Sequence, residues 1–239
     1  MNGKRLLLSG ATLLATLVLA LSFGRAARAQ VELQWWHALG GALGGKVEQF
    51  AADFNKSQSA YKVVAVNKGN YTEAMTAGIA AFRAGKPPHI LQVFEVGTAT
   101  MMAAKGAIKP VHQLMAEAGE PFNTNDYLSA VIGYYTTPEG KLLSLPFNSS
   151  TPILYYNKEA FKKAGLDPAK PPTTWPELEA YAKRTQAAGI PCGFTTAWQD
   201  WIQIENFSAW HNVPIATLAN GFGGVKTELK INSPLHVRH

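Results

Sequence analysis

The chain has 239 residues, of which 47% are hydrophobic and 16% charged, so it can bury a core and is too apolar for a disordered tail. A single cysteine, Cys192, excludes disulfide scaffolds and cysteine-ligated zinc folds. A net charge of +6 points to nucleic acid or an anionic surface only if it belongs to the folded part.

The charge is concentrated at the N-terminus. Lys4 and Arg5 precede an apolar run from Leu6 to Phe23, and small residues follow to Ala27-Arg28-Ala29. This is the layout of a secretory signal over residues 1–29, with the mature start at Gln30. Removing Lys4, Arg5, Arg25 and Arg28 leaves 18 basic residues against 16 acidic ones in residues 30–239. The near balance removes the argument for nucleic acid.

Short β-rich runs then alternate with helical spacing, the pattern of βα units around a parallel sheet. Strands are predicted at 31–36, 61–67 and 89–95. Helices are predicted over 43–55, where Leu43, Val47, Phe50, Ala51 and Phe54 recur on one face, over 71–84 before Gly85 and Pro87-Pro88, and over 97–105. Pro138-Glu139-Gly140 is a turn signal, and the texture changes there. The expected division is therefore a first α/β lobe at 30–140, then crossover strands (141–147, 153–157) and part of a second lobe at 141–239. A short helix is predicted over 158–164, stopped by Gly165. A second starts with Thr174 as N-cap, Pro176 in the first turn and Glu177 at the capping-box position, and ends near Gly189. Gly221 to Gly224 reads as a turn, and the last residues as frayed.

The motifs exclude several chemistries. Gly40 to Lys46 fits GxxxxGK, but Val47 stands where a P-loop needs Ser or Thr for magnesium. What remains is a tight turn, or a glycine-rich helix start whose N–H groups face an anion or a sugar hydroxyl. His37, His89, His112, His211, His236 and His239 lack metal-ligand spacing, so no metal and no cofactor is expected. Ser149 and Ser150 lie outside any GxSxG elbow. Glu95 and Asp200 are the pair a secreted carboxylate-dependent hydrolase would require, although nothing in the sequence fixes their separation. More informative are the strand ends. Trp36 and His37 close the first strand, Asn70 and Tyr71 follow the second, and Glu95 closes the third, all at the edge where open α/β folds bind ligands. Trp198, Trp201 and Trp210 offer a stacking wall or plain packing.

Three stretches carry a resemblance: KGNYTEAMTAGIAAFRAGKPPHILQVFEVGTATMMA (68–103), LSLPFNSSTPILYYNKEAFKKAGLDP (143–168) and WQDWIQIENFSAW (198–210). They closely resemble the periplasmic sn-glycerol-3-phosphate-binding components of ABC importers, within extracellular solute-binding protein family 1. The resemblance implies an α/β, two-lobed (type II) periplasmic binding protein with an incomplete second lobe. It implies a monomer that closes on glycerol-3-phosphate, or on a glycerophosphodiester or another sugar, and delivers it to ABC importer permease subunits. Tyr71, Glu95, Ser150 and Trp198 match ligand-contacting positions of the family: Glu95 accepting from glycerol hydroxyls, Tyr71 and Ser150 donating, Trp198 packing on the carbon skeleton. Trp36 and His37 are neighbours of that cleft. The family carries an acidic residue where this chain reads ALGGALGG (38–45), and its phosphate-holding Arg and Tyr belong to a C-terminal half not found in these residues. Residues 1–239 alone are therefore expected to bind the ligand weakly or not at all, and a non-functional receptor fragment stands beside the secreted carboxylate-dependent hydrolase as the alternative. Cys192 is read either as half of a disulfide completed beyond residue 239 or as a buried free thiol.

Overall fold

The computed structural model describes residues 29–239 apart from 95, 96, 99, 102, 103, 105 and 121. Residues 1–28 of the signal predicted over 1–29 lie outside the described residues. Among them, no helix is long and apolar enough to cross a membrane. The described chain forms two compact units, 29–101 and 102–239.

In the first unit, β1 (Val31–His37) lies between β2 (Tyr61–Asn67) and β3 (Ile90–Leu91), all parallel. The β1–β2 register runs from Val31 opposite Tyr61 to His37 opposite Asn67, so both strands end at the same edge. Between them runs α1 (Gly41–Ser57), which buries Gly44, Val47 and Ala51. Asn55, near its C-terminal end, accepts from Val63 N–H and donates to Val63 O, tying the helix to β2. The next helix, α2 (Tyr71–Arg83), starts at the strand-end edge under a capping box: Asn70 accepts from Glu73 N–H, and the Glu73 carboxylate accepts from Asn70 N–H. It approaches β3 closely, and a Cβ on Gly78 would sit 2.6 Å from Leu91 Cδ2. The third strand is shorter than the expected 89–95. His89 N–H and Gln92 N–H continue the ladder to Gln34 O and Trp36 O, and Glu95 lies outside the described residues. Residues 97, 98, 100 and 101 are helical, as expected there, and the rest of 97–105 is described only in part.

The second unit starts with α3 (Val111–Ala118), fastened to the 142–143 segment by Val111 N–H to Leu143 O and His112 N–H to Leu142 O. These bonds join residues on either side of residue 140. The turn at 138–140 is present, with Gly140 N–H donating to Thr137 O and Gly140 at φ +77°. A short α4 (Ser129–Ile132) precedes it. The strands expected at 141–147 and 153–157 do not form. Leu142 makes one isolated antiparallel bridge with Thr136, and Ile153 and Tyr155 are 65% and 86% exposed. Their apolar alternation is a strand signal, but no strand in the described residues supplies the ladder.

The helical part of the unit follows the sequence closely. Asn157 caps α5 (Lys158–Lys163) by accepting from Glu159 N–H and Ala160 N–H, and Gly165 ends it at φ +67°. Thr174 and Glu177 form the expected capping box on α6 (Trp175–Ala187). From α6, Arg184 donates to Ala164 O and Gly165 O, satisfying carbonyls at the end of α5. Phe161 is buried between the rings of Tyr156 and Tyr181, at 4.8 and 5.5 Å. Beyond Trp198 come a π-helical stretch, Gln199–Glu205, and α7 (Asn206–Trp210). The expected fraying of the last residues is corrected: α8 (Pro234–Arg238) is capped by Ser233, whose hydroxyl accepts from His236 N–H, and His236 also bonds Ser208.

Candidate functional site

The strand-end edge of the first unit is built from β1 and β2. Trp36 is half-buried there. Its indole N–H donates to Gln34 Oε1 at 3.0 Å, and the Lys68 ammonium sits 3.8 Å from its ring centroid. The loop after β1 is held from both sides: Ala38 N–H donates to Gln92 Oε1, and Asn67 Nδ2 donates to Leu39 O. His37, read as a neighbour of the cleft, is only 2% exposed, and its Nδ1 has no hydrogen-bond partner. Burial pushes its pKa down from the ordinary 6.5, against weaker opposing effects of Glu48 and the Leu39 backbone. It belongs to the packed floor of this edge in the neutral form.

Tyr71 opens α2 at the same edge and lies flat on Phe94, with centroids 5.4 Å apart and planes 7° from parallel. Position and orientation of the tyrosine thus follow from two independent devices, the Asn70–Glu73 cap and the Phe94 face. Asn-x-x-Glu is a capping signal, whereas nothing local marks Phe94 as a support. Glu95, the expected hydrogen-bond acceptor, lies outside the described residues. Gly40 and Gly41 open α1 with no side-chain cap and no acidic residue in the first turn, the glycine-rich helix start expected at Gly40 to Lys46.

In the second unit Ser150 is exposed and lies outside any helix or strand. Trp198 is 50% exposed, at φ 58° and ψ 67°, and Trp201 meets it edge-on with centroids 5.8 Å apart. Trp210 is exposed and has no place in that pair. Asp200, the second carboxylate of the hydrolase alternative, accepts from Trp201 N–H at 2.8 Å and so serves the start of the π-helical stretch. Cys192 is exposed, which corrects the buried free thiol; its Sγ donates to Phe194 O. Among the described residues no group of His, Cys, Asp and Glu could hold a metal ion.

Three arginines follow residue 30. Arg184 donates to Ala164 O and Gly165 O, and Arg238 to Pro234 O. Arg83 lies in the last turn of α2, about 18 Å along the helix from Tyr71.

The model of the family "Bacterial extracellular solute-binding protein" matches residues 40–234. The chain is 53% identical over 229 residues to the sn-glycerol-3-phosphate-binding periplasmic protein UgpB of Brucella abortus (strain 2308), covering 95% of this chain and 53% of that protein. It is 56% identical over 224 residues to UgpB of Yersinia pestis bv. Antiqua (strain Antiqua), covering 93% and 51%. The chain thus spans about half the length of the curated relatives it matches. An ABC substrate-binding protein from Listeria monocytogenes in complex with cycloalternan shares the fold at a TM-score of 0.59 and 18% identity, over 87% of this chain and 51% of that one. The cyclic alpha-maltosyl-1,6-maltose binding protein from Arthrobacter globiformis aligns at a TM-score of 0.51 and 26% identity, over 67% and 39%. These relationships give the α/β architecture as that of the type II periplasmic binding proteins. The chain belongs to the bacterial extracellular solute-binding protein family.

Proposed function

We propose that the chain is the ligand-capturing part of a periplasmic receptor that binds sn-glycerol-3-phosphate and delivers it to the permease of an ABC importer. The observation that carries this reading is identity of more than half over nearly the whole chain to proteins named for binding that ligand. In this reading Glu95 accepts from the glycerol hydroxyls, and Tyr71 and Ser150 donate. Trp198 lies on the carbon skeleton, and the receptor acts as a monomer that closes two lobes divided near residue 140. The half-exposed indole of Trp198 and the tyrosine fixed on Phe94 support it, since both present a rigid polar or apolar face without needing to be ordered first. The carboxylate-dependent hydrolase is set aside: the relatives are named as binding proteins, and Asp200 is engaged at a helix start.

Arg184 and Arg238 are engaged with backbone carbonyls and Arg83 ends α2, so in this reading the 239 residues hold the glycerol side of the ligand more than its phosphate. Equilibrium dialysis against labelled sn-glycerol-3-phosphate tests the reading. Saturable retention, with the label recovered unchanged, is expected; released phosphate in the recovered label contradicts a receptor.

A further inference from the structure

A cleft of about 490 Å³ opens in the second unit, a size that suits a small molecule. Val213, Pro214, Ala216 and Ala219 give it apolar walls. Lys230 is the charged residue of its lining, and among the described residues that ammonium makes no ion pair. Apolar walls beside an unpaired cation complement an anion that carries an apolar body.

The wall at Ala219 and Asn220 is preset. Leu218, Ala219 and Asn220 are left-handed in succession, at φ 50°, 53° and 54°. Leucine and alanine rarely adopt this conformation, and a run of three such residues persists only where the surroundings dictate it. Hydrogen bonds at both ends do so. Asn220 Oδ1 accepts from Ile215 N–H and Ala216 N–H, at 3.0 and 3.3 Å, and Gly223 N–H donates to Leu218 O at 2.8 Å. Lys230 N–H donates to Ile215 O at 2.7 Å, next to the Ala216–Leu229 bridge, so the lysine backbone is tied to the same wall. Ser233 completes the lining with a hydroxyl whose partners are fixed as well. Its Oγ lies 2.7 Å from His236 Nδ1, and His236 Nε2 lies 2.9 Å from the hydroxyl of Ser208, which is 2% exposed. With the ring proton on Nδ1, the Ser233 oxygen accepts from the imidazole and its own proton is left for an acceptor in the cleft.

We propose that this cleft is a second ligand site, for a small carboxylate with a short apolar body: the apolar walls take the hydrocarbon, the Lys230 ammonium pairs with the carboxylate, and the Ser233 hydroxyl donates to it. A polyol phosphate does not suit it, because Val213, Pro214, Ala216 and Ala219 offer its hydroxyls no side-chain partner. Walls already held in shape need little ordering when the ligand enters. None of these residues belongs to the ligand set of the proposed receptor, so failure of the site leaves that set untouched.

Hexanoate, hexanol and acetate are the probes, titrated into the full chain and followed by the amide NMR shifts of Ala216, Ala219, Asn220 and Lys230. Hexanoate is expected to shift these amides saturably, with hexanol about threefold weaker for want of charge and acetate at least about tenfold weaker for want of a hydrocarbon. Raising sodium chloride from about 50 to about 500 mM is expected to weaken hexanoate and not hexanol. Lys230→Gln breaks no ion pair among the described residues and is expected to bring hexanoate within about twofold of hexanol, with hexanol unchanged. Ser233→Ala is expected to weaken hexanoate about threefold. Lys230→Gln keeps the proposal testable if loss of the Ser233 cap unsettles α8. Equal affinity for hexanoate and hexanol, parent-like hexanoate binding by Lys230→Gln, or saturable shifts confined to amides away from the cleft would each overturn the proposal. Acetate binding as tightly as hexanoate would overturn it too, since a bare cation without an apolar pocket would then account for the binding.

Discussion

The ring of Tyr71 lies on the ring of Phe94 at 5.4 Å and 7°, so the tyrosine hydroxyl at the strand-end edge is aimed by a second aromatic instead of by its own rotamer preference. Tyr71→Phe keeps the stack and removes only the hydroxyl. Binding of sn-glycerol-3-phosphate is expected to weaken by about two- to tenfold, the worth of one hydrogen bond of about 0.5–1.5 kcal/mol, at an unchanged melting temperature. Phe94→Ala keeps the hydroxyl and removes its support, and is expected to weaken binding as well as lower the melting temperature. Titration calorimetry and thermal melts of the two variants separate the roles.

His37 provides a pH test of the first unit. Its folded-state pKa lies below the unfolded value of 6.5, so between the two the unfolded chain binds the proton and the folded one does not. Stability from this residue is complete above pH 6.5 and is lost as the pH falls below it. Melting temperatures of the parent are expected to drop between pH 7 and pH 5 more steeply than those of His37→Leu. Parallel pH profiles for the two proteins would show that the buried imidazole is not the group responsible.

Glu177 and Thr174 define a test of the second unit. The Glu177 carboxyl is held below its ordinary range first by the Thr173 N–H, then by the Thr173 hydroxyl, with smaller contributions from Thr174. The sign is that of a depressed carboxylate: the contribution is present above the unfolded pKa and fades as acid protonates the folded group. Thr174→Ala removes the acceptor for Glu177 N–H and is expected to cost about 1 kcal/mol in urea unfolding at neutral pH. Glu177→Gln is expected to reduce the loss of α6 helicity on acidification, followed by circular dichroism.

A close backbone approach gives the largest expected stability effect. A Cβ on Gly193 would lie 2.4 Å from Ala182 O and 2.9 Å from Ala182 Cα, both backbone atoms that cannot swing aside. Gly193→Ala is expected to destabilise the protein by about 1–3 kcal/mol, measured by urea unfolding, as overpacking of a closed contact does.

What was legible in the sequence was the part whose partners lie nearby. β1 and β2 pair with each other across one helix, and their alternation and turns placed them within a residue of Val31–His37 and Tyr61–Asn67. The α6 start was readable because the Thr174–Glu177 box acts over three residues. The 141–147 and 153–157 runs show the limit of this logic. Their composition suits strands, yet a strand needs a ladder, and none of the described residues supplies one. The Trp198–Trp201 arrangement was not legible either, because a π-helical turn and a left-handed tryptophan have no propensity signature. The sequence marked Trp198 through resemblance and left Trp201 as one tryptophan among several. The burial of His37 was not legible either, since a histidine ending a strand carries no local sign of being packed.

The most direct measurement is a pair of titrations of the 239-residue chain, with sn-glycerol-3-phosphate and with glycerol, followed by tryptophan fluorescence. With Tyr71 and Trp198 present and Arg184 and Arg238 engaged with backbone carbonyls, both ligands are expected to saturate near the millimolar range, about 4 kcal/mol, and within about tenfold of each other. Micromolar affinity for sn-glycerol-3-phosphate with no response to glycerol would contradict the account, because it would require a phosphate anchor within these 239 residues.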